Sequence, residues 1–322
     1  MLKIKKFVQG RDEEDWVRVW SAAYREYEDM RQMTGDEFRI FEKAPDFDPE
    51  GRFIAQQSSK CVGIIHAHVD KLRKERKGFI RSFGVVPEFR GKGIEEKLVK
   101  TALKELKNRG MEVVQAWAAD SREDRISLWK DSGFELVRKF SLMERDLNTI
   151  PSGIGEDDGV VLKTLRKDSD EDLKVLNWLD NECFKEHFNY TPGTLERTLY
   201  FVREDPFFRI QDWSFSLLEG EHVGYVGVGI DEAYNIEKNT KCGWILDIGV
   251  LKPYRRRGIG TKLMLQGMKA LKEKGMTTLM LEVDDLNVTK AMRLYKEVGF
   301  KIKKKDLTYE KNLEQLQEHN TA

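Results

Sequence analysis

Apolar residues recur at helical spacing in two segments near the C-terminal end of the chain. The first predicted helix presents one apolar face, formed by Ile259, Leu263, Gly267, Ala270 and Leu271. Such a stripe predicts an amphipathic helix, and residues 272–275 supply the basic side chains and the glycine that end helices. The second predicted helix spans about Val288 to Val298, with one face formed by Ala291, Leu294, Tyr295 and Val298. We expect Gly299 to end it in the left-handed conformation.

Shorter extended segments precede and separate these helices. In the N-terminal half they are Lys3–Val8 and Cys61–Val69. In the C-terminal half they are Val160–Leu165, His222–Ile230, Ile245–Val250 and Met276–Val283. Strands that are mixed with helices in this order predict an α/β fold.

The chain also repeats itself. Residues 83–94 (FGVVPEFRGKGI) match residues 248–259 (IGVLKPYRRRGI) at an offset of 165 residues. Gly110 and Gly275 share that offset, and Gly133 and Gly299 differ by 166 residues. Residues 148–159 (NTIPSGIGEDDG) lie between the two copies, and their glycines, polar residues and proline are typical of a linker. We therefore predict two domains of one architecture, residues 1–148 and residues 159–322.

Composition excludes several classes of protein. The 322 residues include 56 Lys and Arg against 56 Asp and Glu, so the net charge is zero, which argues against a general nucleic-acid binder. No stretch approaches 18 apolar residues, so we expect no membrane span, and residues 1–15 lack the apolar core of a signal peptide. The three cysteines are widely spaced, which predicts no disulfide framework and no metal site. A cytoplasmic protein is the expected result.

The turn between the strand Ile245–Val250 and the first helix is the best candidate for a ligand site. It contains three consecutive arginines and two glycines, at residues 255–260 (RRRGIG). Glycine permits positive φ and a close approach of the backbone, and the first amides of a helix lack internal partners. These amides, the helix dipole and the arginines suit a diphosphate. A Rossmann site would need three glycines in G-x-G-x-x-G, and a P-loop would need Lys before Ser or Thr, whereas Thr261 precedes Lys262.

This turn and a second segment resemble the GNAT superfamily of N-acetyltransferases. Residues 250–260 (VLKPYRRRGIG) are similar to its acetyl-CoA motif, and residues 287–300 (NVTKAMRLYKEVGF) are similar to its second motif, N-x-x-A-x-x-L-Y-x-x-x-G-F. The tandem arrangement resembles mycothiol synthase and related two-domain acetyltransferases. The resemblance implies two GNAT-like domains, each a mixed, mostly antiparallel sheet flanked by helices. It also implies acetyl-CoA as cosubstrate, and an amine of a small molecule or a peptide as acceptor.

The resemblance further implies roles for particular residues. Coenzyme A would be bound by the main chain of Ile248, Gly249 and Val250, by the turn residues Arg255, Arg256, Arg257, Gly258, Ile259, Gly260 and Thr261, and by Asn287. Tyr295 would be the general acid for the departing thiolate. Asp247 would be the general base, with Glu282 in reserve, and strand alternation places Asp247 on the same face as Gly249.

Each of these residues also has a purely structural interpretation. Tyr295 is also compatible with a core position, Asn287 with a helix N-cap, and Asp247 with a structural acid paired to a nearby basic residue. His187, in the segment expected to form the acceptor pocket, is more typical of a structural histidine.

The N-terminal copy departs from the pattern at the informative positions. The offsets align Gly260 with Glu95, Asp247 with Ser82, Asn287 with Ser121, and Tyr295 with Trp129. Glu95 would place a carboxylate where a diphosphate should bind, and tryptophan cannot act as a general acid. We therefore expect acetyl transfer in the C-terminal domain only. The alternative for the whole chain is a non-catalytic acyl-CoA-binding or regulatory module.

Overall fold

The computed structural model describes residues 1–151 and 159–314, and it divides into two compact units. Unit 1 comprises Met1–Lys139 and Asp306–Ala322, and unit 2 comprises Phe140–Lys305. The middle of the predicted linker, residues 152–158, lies outside the described residues.

Unit 1 is a mixed, mostly antiparallel sheet flanked by helices. Its strands are β1 (Leu2–Lys6), β2 (Arg52–Gln57), β3 (Lys60–Val69), β4 (Lys77–Val85), β5 (Val113–Ala119) and, from Asp306 onward, β12 (Lys301–Asn312). Its helices are α1 (Glu13–Tyr24), α2 (Gly35–Phe41), α3 (Ile94–Asn108) and α4 (Glu123–Asp131). The strand order is β1-β2-β3-β4-β5-β12, in which β4 and β5 are parallel and the other neighbours are antiparallel.

Unit 2 has the same architecture. Its strands are, from Phe140 onward, β6 (Glu135–Asp146), then β7 (Val160–Thr164), β8 (Ile210–Leu218), β9 (Glu221–Ile230), β10 (Cys242–Val250) and β11 (Thr278–Asp284). Its helices are α5 (Asp170–Phe184), α6 (Leu195–Arg203), α7 (Glu232–Lys238), α8 (Ile259–Glu273) and α9 (Ala291–Glu297). The order is β6-β11-β10-β9-β8-β7, and here the parallel pair is β10 and β11. The predicted fold class is confirmed.

The two units do not coincide with the predicted domains, residues 1–148 and 159–322, because the last strand of each half belongs to the other unit. Residues 140–146 of β6 pair with β11 in unit 2. Residues 306–312 of β12 return to pair with β5 in unit 1. A glycine- and proline-rich segment indicates where the chain forms a loop, whereas strand pairing between distant segments leaves no mark on local composition.

The predicted helix after the turn is confirmed as α8, and its apolar face forms the centre of the unit 2 core. Ile259, Leu263 and Leu271 are buried there together with residues of β9 and β11. Gly267 allows the close approach, because a Cβ at this position would lie 2.9 Å from Ile245 Cδ1. Full burial of each aliphatic side chain contributes about 1.5–3 kcal/mol, so this face anchors α8 and fixes where its N-terminus points.

The second predicted helix begins three residues later than expected. Residues 287–290 form a turn in which the amide N–H of Thr289 donates to Asn287 Oδ1 at 2.7 Å, and α9 starts at Ala291 after Lys290, whose φ is +57°. The interpretation of Asn287 as the N-cap of this helix is therefore wrong: Asn287 stabilises the preceding turn instead. Gly299 has the expected left-handed conformation, with φ of +96°.

Candidate active site

The two parallel strands of unit 2 separate halfway along their length. Pairing between β10 and β11 runs from Cys242–Thr278 to Trp244–Met280, and no further pair joins them in the part of the chain that the structure describes. A register shift between Ile245 and Asp247 marks the same point on the other edge of β10. Each strand keeps its outer neighbour, β9 for β10 and β6 for β11. The main chain of β10 beyond Trp244 therefore faces an opening instead of a paired strand.

This opening widens into a cavity of about 860 Å³. The strands contribute Ile245–Val250 and Leu281–Asp284, and the turn contributes Arg255, Arg256, Gly258, Gly260 and Thr261. Other lining residues include Asn287, Ala291 and Tyr295. Nearly all residues implied by the sequence thus meet in one cavity. The exceptions, both within the described chain, are Arg257, which is exposed with its Cζ 5.6 Å from the centre of the Tyr254 ring, and Ile259, which is buried in the core.

The turn between β10 and α8 has the geometry of an anion site. Gly258 (φ +80°) precedes the first residue of α8, and Arg256 has φ of +66°. A non-glycine residue in the left-handed region costs about 1 kcal/mol or more, and strain of this kind recurs at ligand sites. A Cβ at Gly260 would have only ordinary contacts, 3.8 Å from Leu294 Cδ1 and 3.9 Å from Val250 Cγ2. The surface above the helix N-terminus is therefore open.

The three arginines of the turn differ in what their side chains contact. The guanidinium of Arg255 donates to the carbonyl oxygens of Val250, at 2.9 Å, and Cys183, at 3.0 Å, so it ties the turn to the end of α5. Arg256 and Arg257 are exposed. We infer that Arg255 holds the shape of the turn, and that Arg256, which lines the cavity, is the arginine placed to attract phosphate.

Tyr295 lies on α9 with its ring buried against Phe300, at a centroid distance of 6.0 Å. It lines the cavity, and its hydroxyl has no hydrogen-bond partner among the described residues. Burial, and next the charge of Asp247, raise the pKa of Tyr295 above its usual value. The hydroxyl is therefore protonated at neutral pH and can donate to a ligand in the cavity.

Asp247 has an unusual environment for a carboxyl group. The buried hydroxyl of Tyr225 lies 2.7 Å from its Oδ2, and the amide of Ile248 donates to its Oδ1 at 2.8 Å. Burial, and next the nearby Asp180, raise the pKa of Asp247 well above its usual value. Among the described residues no basic side chain bonds it, so the alternative of a structural ion pair does not hold. Gly249 lies on the same face of the sheet as Asp247, as predicted, because a Cβ at Gly249 would lie 2.9 Å from Cys183 Cβ on α5.

Asp180 and Tyr225 were missed by sequence reasoning. Tyr225 lies on β9 and is 0% exposed, and its hydroxyl is 2.8 Å from Asp180 Oδ1 on α5. Tyr225 is 45 residues from Asp180 and 22 residues from Asp247 in the sequence, so no motif connects the three residues. The repeat gives no signal either. Val62-Gly63 matches Val223-Gly224 at an offset of 161 residues, and this offset aligns Tyr225 with Ile64.

An aromatic wall formed by Phe140, Phe184, His187 and Phe188 lines the rest of the cavity. The His187 ring packs edge-on against Phe184 at 4.6 Å, and its Nε2 is buried without a hydrogen-bond partner among the described residues. Burial, and next Arg255, lower the pKa of His187, so the imidazole is neutral at neutral pH. Glu282 also lines the cavity, at an exposed position on β11.

The corresponding opening in unit 1 is occupied by the protein's own side chains. There β4 and β5 pair only from Lys77–Val113 to Phe79–Gln115. Beyond this point the main-chain oxygen of Phe83 accepts from the Tyr24 hydroxyl, at 3.0 Å, and from Arg125 Nη1, at 3.3 Å. The guanidinium of Arg125 also lies 3.9 Å from the centre of the Phe83 ring. At the offset of 166 residues, Arg125 stands where unit 2 has Ala291.

The anion site of unit 1 is closed in a similar way. The amide of Gly91 donates to Glu95 Oε1 at 3.4 Å, and Glu95 Oε2 is buried with no hydrogen-bond partner. Trp129, at the position of Tyr295, is 1% exposed and donates to the carbonyl oxygen of Trp117 at 2.9 Å. A carboxylate at the N-terminus of α3 is favourable for the helix, but it takes the place of a ligand anion.

Unit 1 also contains a buried cluster of possible metal ligands, namely Asp48, His66 and His68. Both oxygens of Asp48 accept from Arg109, at 2.8 and 3.1 Å. Burial is the main cause that lowers the pKa of His66 to about 3 and of His68 to about 2. Because Arg109 already neutralises the carboxylate, we interpret this cluster as structural.

Comparison with known proteins finds a matching family, similar sequences and similar structures. A family model described as the acetyltransferase (GNAT) family matches residues 14–134 and 173–300. A mycothiol acetyltransferase of Thermomonospora curvata is 29% identical over 131 residues, which are 41% of this chain and 43% of that protein. One of Thermobispora bispora is 27% identical over 139 residues, 41% of this chain and 46% of that protein. The matched part is thus less than half the length of these relatives.

Two solved structures resemble the whole chain. A GCN5-related N-acetyltransferase from Sphaerobacter thermophilus has a TM-score of 0.71 at 21% identity and covers 97% of this chain and 96% of its own. A tandem GNAT protein from the clavulanic acid biosynthesis pathway has a TM-score of 0.75 at 13% identity and covers 97% and 99%. At these identities the likeness is one of fold. In the part of the chain that the structure describes, no helix has the length and apolar character to cross a bilayer.

Proposed function

Because the chain belongs to the acetyltransferase (GNAT) family, we propose that unit 2 transfers the acetyl group of acetyl-CoA directly to an amine of a small molecule or peptide. One observation carries the proposal. A single cavity brings together the opening beside β10, the turn before α8, a carboxyl group with a raised pKa, and a tyrosine hydroxyl available to a ligand. Perturbed acids and bases in a cleft are typical of catalytic sites.

In this proposal the diphosphate of coenzyme A binds the first amides of α8, at Gly258, Gly260 and Thr261, with Arg256 beside it. The pantetheine arm lies in the opening and bonds the main chain of Ile248–Val250, as an added strand would. Asn287 lines the cavity and contributes to binding, whereas Arg255, Arg257 and Ile259 support the turn and the helix. The thioester then lies between Asp247 and Tyr295.

The chemistry needs two proton transfers. The neutral amine attacks the thioester carbon, a C–N bond forms and the C–S bond breaks. Asp247 takes the proton from the attacking nitrogen as general base, and Tyr295 gives its proton to the departing sulfur. Asp247 then releases a proton and Tyr295 regains one from solvent, so the net products are the amide and free coenzyme A.

Unit 1 has no part in the chemistry under this proposal. Its equivalent of the pantetheine opening holds Arg125, and its equivalent of the diphosphate site holds Glu95. We therefore expect one coenzyme A per chain, which isothermal titration calorimetry measures directly. A second site of similar affinity would contradict this part of the proposal.

The activity is tested by an acceptor screen with acetyl-CoA, monitored by release of free thiol. The panel contains a mycothiol-type sugar amine, which the relatives' name suggests, a polyamine, an antibiotic amine and a peptide with a free α-amine. Release that requires both protein and acceptor supports the enzyme. Tight binding of coenzyme A without transfer to any amine would favour the non-catalytic acyl-CoA-binding module.

Two variants separate binding from catalysis. Tyr295→Phe removes only a hydroxyl, so we expect unchanged affinity for acetyl-CoA and a turnover reduced by about 10²–10⁴-fold, the usual contribution of one acid or base. Asp247→Asn should behave likewise. Full activity of Tyr295→Phe would remove this tyrosine from the mechanism.

A further inference from the structure

The hydroxyl of Tyr225 lies between two carboxyl groups in the interior of unit 2. It is 2.8 Å from Asp180 Oδ1, on α5, and 2.7 Å from Asp247 Oδ2, on β10. Both distances are those of hydrogen bonds between oxygens. Tyr225 is 0% exposed, so no water reaches its hydroxyl to supply a missing donor.

Counting hydrogens shows what is required for both of these contacts to be hydrogen bonds. A phenolic hydroxyl has one hydrogen and can donate to one acceptor at a time. If both carboxyls were ionised, one of the two short contacts would join oxygens with no hydrogen between them. For both contacts to be hydrogen bonds, one carboxyl must be protonated. The second oxygen of Asp247 already accepts from the amide of Ile248, which favours its charged form.

The groups packed around the two carboxyls are either neutral or bonded elsewhere. On α5 the neighbour is Cys183, whose thiol stays neutral because burial raises its pKa to about 12. On α9 it is Tyr295, which is also protonated. The guanidinium of Arg255 donates to two main-chain oxygens instead of to either carboxyl. Among the described residues no Lys or Arg is bonded to Asp180 or Asp247.

We propose that Asp180 and Asp247 share one proton through Tyr225, and that Asp180 is a positioning residue that sets the pH at which Asp247 becomes a base. The proposal rests on the proposed function. The structure corresponds to the shared-proton form, and Asp247 becomes a base in molecules that have lost this proton to solvent, where the attacking amine's proton restores the shared form. That proton leaves to solvent before the next turnover.

Two substitutions should move the acid limb of the kcat/KM profile in opposite directions. Asp180→Asn removes the like charge, so Asp247 ionises more easily and the limb moves to lower pH, by about one pH unit or more. The plateau rate falls as well, because a weaker base accepts the proton. Tyr225→Phe removes a hydrogen bond to the ionised form, so the limb moves to higher pH. A merely structural role would not reverse the sign.

The titration can also be read without activity. Infrared difference spectra between wild type and Asp247→Asn isolate the protonated carboxyl band of Asp247 over a pH series. We expect Asp180→Asn and Tyr225→Phe to shift this titration in the same directions as they shift the acid limb. Glu182→Gln is the matched control, since Glu182 lies on the same helix but is paired with Lys185 at 2.7 Å at the surface. It should leave both readouts unchanged.

The outcomes separate the two proposals. Coincident titrations for wild type and Asp180→Asn, or shifts of equal sign in both variants, would overturn the shared proton. Failure of every acceptor to release thiol, with the infrared shifts as expected, would count against the proposed function alone. If Asp180→Asn fails to fold, Tyr225→Phe tests the same point. An acid limb of its kcat/KM profile at the same pH as in wild type would refute the inference.

Discussion

Gly260→Glu copies into unit 2 the residue that closes the anion site of unit 1. The substitution is tolerated sterically, because a Cβ at Gly260 would be 3.8 Å from its nearest neighbour, Leu294 Cδ1. In unit 1 the equivalent Glu95 reaches back to the amide of Gly91 at 3.4 Å. The new carboxylate is therefore expected to occupy the place of the coenzyme's diphosphate while the helix stays intact.

The expected loss of affinity follows from the charge. A carboxylate about 5 Å from a phosphate charge costs about 3 kcal/mol at an effective dielectric constant near 20, which is roughly 150-fold in Kd. Stability should rise slightly, since an acid in the first turn of a helix contributes about 0.3–1 kcal/mol and glycine is a poor helix residue. Loss of binding should thus come without loss of fold.

Calorimetric titration with coenzyme A and thermal unfolding measure the two effects on the same samples. Gly260→Gln is the matched control, because it has the same size without the charge and should lose much less affinity. If Gly260→Glu binds within about threefold of wild type, the turn is not the diphosphate site. Equal losses for Glu and Gln would show that volume, and not charge, closes the site.

The remaining predictions concern the opening, the buried ion pair and the thiols. Ala291→Arg places in unit 2 the counterpart of Arg125, so KM for acetyl-CoA should rise by about tenfold or more while the melting temperature changes little; an unchanged KM would mean that the pantetheine arm lies elsewhere. Asp48→Asn leaves Arg109 without its buried partner and should lower the free energy of unfolding by about 3–5 kcal/mol, measured by urea denaturation; a loss below about 1 kcal/mol would contradict the pairing. Burial raises the pKa of three thiols to about 12, at Cys61, Cys183 and Cys242. Since unfolded thiols ionise near pH 8.5, the folded state binds more protons above that pH and stability should fall as pH rises from about 8.5 to 12. Replacing all three with alanine should flatten this slope, and an unaltered slope would assign it to other groups.

The local sequence predicts the structure best where strand, turn and helix follow one another along the chain. The spacing of apolar residues predicted α8, and the six extended segments named from the sequence lie within three residues of the ends of β1, β3, β7, β9, β10 and β11. The glycines around Arg256 predicted a turn with positive φ, which is present at Arg256 and Gly258. The prediction from apolar spacing was less accurate for α9. The turn at Asn287 and the left-handed Lys290 delay the start of this helix, which the apolar spacing alone places earlier.

The sequence by itself determined the α/β class, the duplication, and a set of residues in the second copy most of which line the cavity, because short-range spacing and repeated motifs carry that information. Only the tertiary structure decided the exchange of the last strands, the closure of unit 1 by Arg125, and the contacts of Tyr225 with Asp180 and Asp247. Each of these joins groups that are tens of residues apart, and their energies arise from burial and proton sharing after the chain has folded. No local pattern encodes them, so the environment that makes Asp247 a candidate base becomes visible only in the folded protein.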